Sequence, residues 1–352
     1  MELTGNSVLA PEQPLNETSA TPTSVPRPHV AYWVVSLALA AVFLYYSLRG
    51  IDWKQVWETM RHANPALILS VVCISSFGLF LRSYRWRVLL SAQQEVSISL
   101  AFWATAAGYL GNNVLPARAG EVVRTLMISS RTGMSRTFVL TTALAERMVD
   151  AIALITISAG VLLLLPIKAD WLGKAARPFG ILGLCGVAAI VLLPVFEAFW
   201  FRLLNRLPIP SHIRGTVEMI LRHVLDGIRS FHDPLRLAKF LGLTAVIWMG
   251  DGIITVVGAR SLGIAIAFPV ALLLVAGLGL GSALPSTPGY VGIYQFVAVN
   301  ILTPFGLSKT QAIAYILLFQ ALNYAVVLFW GLLGMAQRKA HEPAPALNLS
   351  RE

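Results

Sequence analysis

Three acids and three bases stand close together in a stretch of the chain that is otherwise apolar. These residues are Arg118, Glu121, Arg124, Glu146, Arg147 and Asp150. A charge at the centre of a bilayer costs roughly 2.5 to 3.5 kcal/mol on insertion scales, so several charges together need partners or water. If a ligand carries a phosphate, an arginine is its natural bidentate anchor.

Glu146 is predicted to lie near the middle of the membrane. It follows Arg136, placed at the inner surface, by ten residues, which is about 15 Å at the rise of a helix. Glu146 and Asp150 are four residues apart and share a helix face, and Arg147 is close enough to pair with Asp150. Two interpretations stay open: a neutral ion network that joins two elements, and a binding or transport site.

The segment that carries the first three charges is broken by Pro116 and Gly120. Apolar residues 100–115 precede the break and apolar residues 122–128 follow it. Each run is short for an independent crossing of the bilayer. The pattern therefore predicts a re-entrant helical hairpin.

A second broken segment in the later half of the chain matches the first. Both turns read Leu-Pro-x-x-x-Gly at an offset of 169 residues, which aligns Pro116 with Pro285 and Gly120 with Gly289. Interrupted segments at matching places are typical of transporters built from repeats, in which the interruptions form the site. Helices that begin just after Pro116 and Pro288 would add partial positive charge there.

Three further polar residues are predicted to lie deep in the membrane. Asn112 and Asn113 either bind a headgroup or cap a broken helix. Asp251 has no partner close to it in sequence. The candidate site therefore combines the six charged residues and these three with the turn residues Pro116, Gly120, Pro285, Pro288 and Gly289.

Composition indicates an integral membrane protein. Of the 352 residues, 56% are hydrophobic and only 12% are charged, which is far more apolar than a soluble domain. The apolar runs approach the roughly 20 residues of a membrane-spanning helix and lack the alternation of barrel strands. The net charge of +10 comes from Lys and Arg between apolar segments, so no nucleic-acid partner is predicted.

The predicted fold class is an all-α polytopic membrane protein with an inverted repeat, two re-entrant hairpins and about six full spans. Residues 1–28 form a polar tail that we expect to be disordered, and residues 338–352 form a C-terminal tail. Residues 29–337 form the transmembrane domain, with repeat halves at about 65–165 and 236–336.

Basic residues predict the orientation. Apolar residues 65–81 end at Arg82, Arg85 and Arg87, which alternate with aromatic residues as at a cytoplasmic interface. The resulting topology puts both termini in the cytoplasm and lets the hairpins enter from opposite sides. Residues 201–239 have helical apolar spacing and are predicted to form an amphipathic surface helix, either a simple connector or a lipid-sensing element.

Neither a metal nor a cofactor is predicted. Cys73 and Cys185 lie in apolar segments without metal-ligand spacing, and the histidines lie outside or at the ends of apolar runs. The chain also lacks the phosphate-binding loop of an ATPase.

These motifs resemble the family named for the transmembrane region of lysylphosphatidylglycerol synthase, often called flippase-like. Its first pattern is met by Asn113, Pro116, Arg118, Gly120, Glu121, Arg124, Glu146, Arg147 and Asp150. Its later pattern is met by Pro285, Pro288, Gly289 and Gly292. Where relatives often carry Glu and Arg, this chain has Gln295 and Gln320, consistent with an ion pair replaced by an amide pair.

The resemblance, which covers residues 30–337, implies movement of a lipid between leaflets of a bacterial or archaeal cytoplasmic membrane. The lipid would be an aminoacylated phospholipid or a polyprenyl-phosphate-linked species. Only residues 338–352 follow the last span, so we do not expect the aminoacylation that the naming synthase performs in a further domain. Alternatives are an intramembrane enzyme with Glu121 or Glu146 as general base, or a scaffold that recruits a separate transferase. A homo-oligomer stays open.

Overall fold

The structure, a computed structural model, is helical throughout the parts of the chain that it describes. These are residues 30–115, 119–164, 174, 177–186, 188, 196–206, 214–215, 217–218, 221–222, 233–283 and 288–340. The helices are α1 (Val30–Leu48), α2 (Trp53–Arg61), α3 (Pro65–Leu90), α4 (Ile98–Val114), α5 (Gly120–Thr132), α6 (Arg136–Leu164), α7 (Glu197–Arg206), α8 (Pro234–Ser261), α9 (Phe268–Gly281), α10 (Ile293–Leu302) and α11 (Lys309–Ala340). The all-α prediction is confirmed for these residues.

Three of the described helices, α3, α8 and α11, are long and apolar enough to cross a membrane. α9 and α10 are apolar but shorter. α6 has 29 residues, but Glu146, Arg147 and Asp150 interrupt its apolar sequence. The long apolar helices agree with the membrane location expected from composition.

α3 and α8 begin with the same local signal. The side chains of Asn64 and Asp233 accept hydrogen bonds from backbone N–H groups of the first turn. Pro65 and Pro234 follow at the first helical position. A backbone N–H group has no acceptor within the helix there, so proline, which lacks this group, is well tolerated. These two prolines are 169 residues apart, the offset that aligns the two broken segments.

α3 is longer than the sequence predicted. The apolar run ends at Leu81, but the helix continues to Leu90 and includes Arg82, Arg85 and Arg87. The prediction of a basic cluster at the cytoplasmic interface is wrong for Arg85, whose side chain is buried. The physical reason is that acids on α6, distant in sequence, neutralise its charge inside the protein.

Two predicted boundaries also need correction. α8 begins at Pro234, so the last residues of the predicted surface segment 201–239 belong to a long apolar helix capped by Asp233. α11 continues to Ala340, so the first residues of the predicted tail 338–352 are helical. The predicted tail 1–28 and residues 223–232 lie outside the described residues.

Each broken segment forms a helical hairpin with its two arms in close contact. A Cβ atom added to Gly120 of α5 would overlap the carbonyl oxygen of Gly108 on α4 and lie 2.6 Å from the backbone nitrogen of Asn112. In the second hairpin, a Cβ added to Gly277 of α9 would lie 2.5 Å from the side chain of Ile301 on α10. Small residues therefore allow the arms to approach.

Each hairpin also packs against the long helix that follows the other hairpin. α4 contacts α11 at Gly331, where an added Cβ would lie 2.5 Å from Cβ of Leu110. α9 contacts α6 at Gly279, where an added Cβ would lie 2.5 Å from the side chain of Leu154. α3 packs along α8. The two broken segments are thus parts of one bundle.

Replacing Gly120 with alanine should destabilise the protein by at least about 2 kcal/mol. The new methyl group meets backbone atoms of α4, which cannot rotate away. Thermal unfolding of the purified protein in detergent would measure the loss. Gly242→Ala is the matched control, because a Cβ there meets nothing within 4 Å. Equal unfolding midpoints for both variants would contradict the close contact between α4 and α5.

Candidate functional site

Arg85 on α3 is the centre of a buried ion network. Its Nη1 and Nη2 atoms donate to the two carboxylate oxygens of Asp150 at 2.6 and 2.9 Å. Its Nη2 and Nε atoms donate to Oε1 of Glu146 at 2.8 and 3.3 Å, and Nη1 also donates to the hydroxyl of Thr244 at 3.1 Å. All five N–H donors of the guanidinium are used. The side chains of Arg85 and Glu146 are each 1% exposed.

Arg124 on α5 extends this network towards the first hairpin. Its Nη1 atom donates to Oε2 of Glu146 at 2.9 Å, and its Nε atom donates to Oε2 of Glu121 at 2.5 Å. The guanidinium lies over the ring of Trp86, 4.4 Å from the centroid. Both oxygens of Glu146 therefore accept hydrogen bonds from arginines, as a carboxylate removed from water requires.

Arg147 on α6 is held much less tightly. Its nitrogens lie 3.6 to 3.7 Å from oxygens of the three acids of the network, Glu121, Glu146 and Asp150. These distances exceed those of good hydrogen bonds. Its Nη2 atom donates to the hydroxyl of Tyr109 at 3.3 Å, whereas its Nε atom has no acceptor among the described residues. Arg147 is therefore a cation, 32% exposed, whose N–H donors are not all used in good hydrogen bonds.

A separate ion pair joins α3 to α8. Nη2 of Arg82 lies 2.5 Å from Oδ2 of Asp251, and the side chains are 20% and 18% exposed. Asp251 is thus paired with Arg82, which lies 169 residues earlier in the chain. This separation is the same offset that relates the starts of α3 and α8.

A cavity of about 410 Å³ lies among both hairpins and α3, α6, α8 and α11. Its charged lining consists of Arg82, Glu121, Arg147, Asp150 and Asp251. Its neutral polar lining includes Tyr109, Asn112, Asn113, Tyr290, Tyr294 and Asn323. Its apolar lining includes Leu79, Leu154, Ile254, Val275, Leu278, Phe319, Val326 and Val327. Such a mixture can accommodate a molecule that has both a charged and an apolar part.

The structure brings together most of the charges that the sequence proposed for one assembly. They are Glu121, Arg124, Glu146, Arg147 and Asp150. Arg118, Pro116 and Pro285 lie outside the described residues.

Sequence reasoning missed Arg82 and Arg85 as members of the site. Arginines mixed with aromatics after an apolar run are also the pattern of a membrane interface, so the pattern was ambiguous. The unpaired Asp251 was the signal that could have found Arg82. No such signal existed for Arg85, because the proposed assembly was already balanced in charge.

The asparagines of the first hairpin lie on the last turn of α4. α4 ends at Val114 and its C-cap is Leu115, so neither asparagine caps the helix. Asn112 and Asn113 both line the cavity. Nδ2 of Asn112 lies 3.5 Å from Oε1 of Glu121. The capping alternative is therefore not met at the end of α4.

The turn of the second hairpin is neutral and held by an amide pair. Nε2 of Gln295 donates to Oε1 of Gln320 at 2.5 Å, which confirms the amide pair inferred from sequence. Oε1 of Gln295 accepts from the backbone nitrogen of Gly292 at 2.7 Å, and Nε2 of Gln320 donates to the carbonyl of Gly289 at 3.1 Å. These amides satisfy backbone groups in a segment that has no regular helix.

The sequence predicted that a helix begins just after Pro288. In the structure, α10 begins later. Pro288 opens a short 3₁₀ turn, and α10 begins at Ile293. Gly289 and Gly292 have φ angles of 77° and 92°, which interrupt a right-handed helix. The partial positive charge of the helix start is therefore displaced along the chain.

An all-helical bundle with apolar helices long enough to cross a bilayer, around a buried ion network, defines an integral membrane protein. The family described as the lysylphosphatidylglycerol synthase TM region matches residues 33–331, and the chain belongs to this family. A protein of Haloferax volcanii named glycosyltransferase AglD is 27% identical over an alignment of 339 residues that covers 84% of this chain and 52% of the relative. The chain thus spans about half the length of this curated relative.

Replacing Arg85 with glutamine should lower the free energy of unfolding by about 3 to 5 kcal/mol. The change removes one charge of a buried network and leaves Asp150 with only the distant Arg147 among its described ion-pair partners. Chemical or thermal unfolding in detergent measures the effect. Arg222→Gln, which breaks the exposed pair with Glu218, should cost less than about 1 kcal/mol. A similarly small effect for both variants would contradict the role of Arg85.

Proposed function

We propose that the protein moves a phosphate-bearing lipid between the two leaflets of the membrane, and that Arg147 binds the phosphate. The observation that carries this proposal is the contrast between the arginines. Arg85 is 1% exposed and uses all of its donors, whereas Arg147 lines the cavity, is 32% exposed and lies 3.6 to 3.7 Å from the three acids of the network. A partly exposed and loosely paired guanidinium is suited to bind a phosphate.

The tightly paired charges have a different role in this proposal. Arg85 and Arg124 hold α3, α5 and α6 together through Glu146. Their hydrogen bonds keep the wall of the cavity in place while the ligand exchanges at Arg147. The closed ion network and the binding site are then two parts of one assembly, and both interpretations of the sequence apply.

The lining of the cavity supports a lipid as the ligand. Charged residues account for a phosphate, and the asparagines and tyrosines can contact the polar remainder of a headgroup. Apolar residues such as Val275, Phe319 and Val326 suit the first part of an acyl or polyprenyl chain. The substrate is accordingly a phospholipid or a polyprenyl-phosphate-linked lipid.

We propose that two inverted halves expose this site alternately to the two sides. The offset of 169 residues that aligns the starts of α3 and α8 also brings α4 onto α9 and α6 onto α11. The reciprocal contacts of α4 with α11 and of α9 with α6 are what a two-fold relation would produce. With six full spans, the hairpins are re-entrant, and their movement opens one side at a time. Both termini then lie in the cytoplasm of a prokaryote.

The name of the relative favours one second candidate, an intramembrane enzyme that acts on a lipid-linked sugar. The geometry gives it less support. Both oxygens of Glu146 accept from arginines, and Glu121 is bonded to Arg124, so neither carboxylate is placed as a ready general base. A scaffold for a separate transferase, alone or as a homo-oligomer, is a further proposal. An enzyme changes the mass of its lipid, whereas a translocase changes only the leaflet.

Purified protein in liposomes should move fluorescent phospholipids or polyprenyl phosphates between leaflets, measured by quenching from outside. Arg147→Gln should slow the movement at least about ten-fold, because a charge-assisted contact to phosphate is lost. Arg147→Lys should retain part of it. Arg61→Gln, on the exposed end of α2, is the control that should not alter the rate.

Full movement by Arg147→Gln would contradict the role of Arg147. A chemically altered lipid in mass spectra, with no change of leaflet, would instead favour the enzyme.

A further inference from the structure

We propose that Asp251 takes up one proton when the phosphate of the lipid engages Arg82. This inference rests on the proposed function and adds a coupling to it. Arg82 and Asp251 line the same cavity as Arg147, and each is about one-fifth exposed. A phosphate at Arg147 is therefore in the cavity that also presents the Arg82 guanidinium.

Asp251 differs from the other acids of the site in its number of cationic partners. Glu121, Glu146 and Asp150 each form ion pairs with two or more arginines. If one of those arginines turns to a ligand, each of these acids keeps another. Asp251 has Arg82 as its partner among the described ion pairs. When a phosphate binds Arg82, Asp251 becomes a partly buried carboxylate without a described cationic partner.

The balance of charges in the site also favours protonation of Asp251 when an anion binds. Four arginines, Arg82, Arg85, Arg124 and Arg147, face four acids, Glu121, Glu146, Asp150 and Asp251. Among the described residues the site is formally neutral, so a bound monoanion adds one negative charge to them. One proton restores neutrality, and the acid that has lost its arginine gains most from taking it.

In the part of the chain that the structure describes, the surroundings of Asp251 offer no replacement cation. α3 contributes Arg82 and, one turn further, Arg85, which is committed to Glu146 and Asp150. α9 has no titratable residue in its sequence, and α11 contributes Tyr315 and Tyr324. The remaining titratable residues of the cavity lining are Tyr109, Glu121, Arg147, Asp150, Tyr290 and Tyr294. Arg147 is the cation among these, and the proposed function assigns it to the phosphate.

The proton step is a simple exchange. A phosphate oxygen replaces the Asp251 carboxylate at Nη2 of Arg82, and a proton from the bulk solvent, relayed by water, forms an O–H bond on the carboxylate. Departure of the phosphate returns Asp251 to Arg82 and the proton to water. Each phosphate thus enters the site together with one proton, and the site stays neutral throughout.

Calorimetric titration of the full chain in detergent tests this coupling. The probe is dioctanoyl phosphatidylglycerol, whose phosphodiester does not titrate near neutral pH. Repeating the titration in buffers of different ionisation enthalpy gives the number of protons taken up. The wild-type protein should take up about one proton for each lipid bound. Asp251→Asn should bind with uptake near zero, and Asp251→Glu should retain the uptake. Glu95→Gln, an exposed acid on another element, is the control.

Binding by the wild type without proton uptake, or unchanged uptake in Asp251→Asn, would overturn the inference and leave the proposed function intact. If Asp251→Asn does not fold, the neutral double variant Arg82→Gln with Asp251→Asn must likewise show no uptake. Absence of both lipid binding and lipid movement in liposomes would overturn the proposed function itself.

Discussion

The neutralisation of Arg85 by Glu146 and Asp150 is the interaction on which the rest of the structure depends. A guanidinium and two carboxylates among apolar helices are each costly without partners. The two carboxylates accept four of the five N–H donors of the arginine and tie α3 to α6, and the hydroxyl of Thr244 on α8 accepts the fifth. Arg124 then attaches the first hairpin to the same carboxylate of Glu146. These ion pairs therefore help to fix the relative positions of the helices around the cavity.

Tight and loose pairing divide the charged residues into a buried network and a partly exposed set that lines the cavity. Arg85 and Arg124 are nearly inaccessible, and their hydrogen bonds are short. Arg147 and the pair of Arg82 with Asp251 line the cavity and are partly exposed. The second hairpin brings no charge, because amides of Gln295 and Gln320 hold its turn. The charged residues of the site thus lie mainly on α3, α5 and α6, and the described part of the second hairpin contributes none.

Local patterns in the sequence predicted much of this correctly. Apolar runs predicted many of the described helices, and the Pro/Gly breaks fall between α4 and α5 and between α9 and α10. The four-residue spacing of Glu146 and Asp150 placed both carboxylates on one face, where Arg85 bonds to both. The family resemblance also implied an amide pair of Gln295 and Gln320, and these two side chains are in contact. Arg82 and Arg85 were placed at an interface, because an arginine that ends an apolar run looks the same whether water or a distant acid solvates it.

By itself, the sequence determined which segments are helical, where they break and which residues are charged, since these follow from composition and spacing along the chain. Only the tertiary structure decided which acid meets which base. Arg85 and Glu146 are 61 residues apart, and Arg82 and Asp251 are 169 residues apart. Such pairs form because helix packing brings them within about 3 Å in surroundings of low polarity, where an ion without a partner is too costly. No local pattern encodes that proximity.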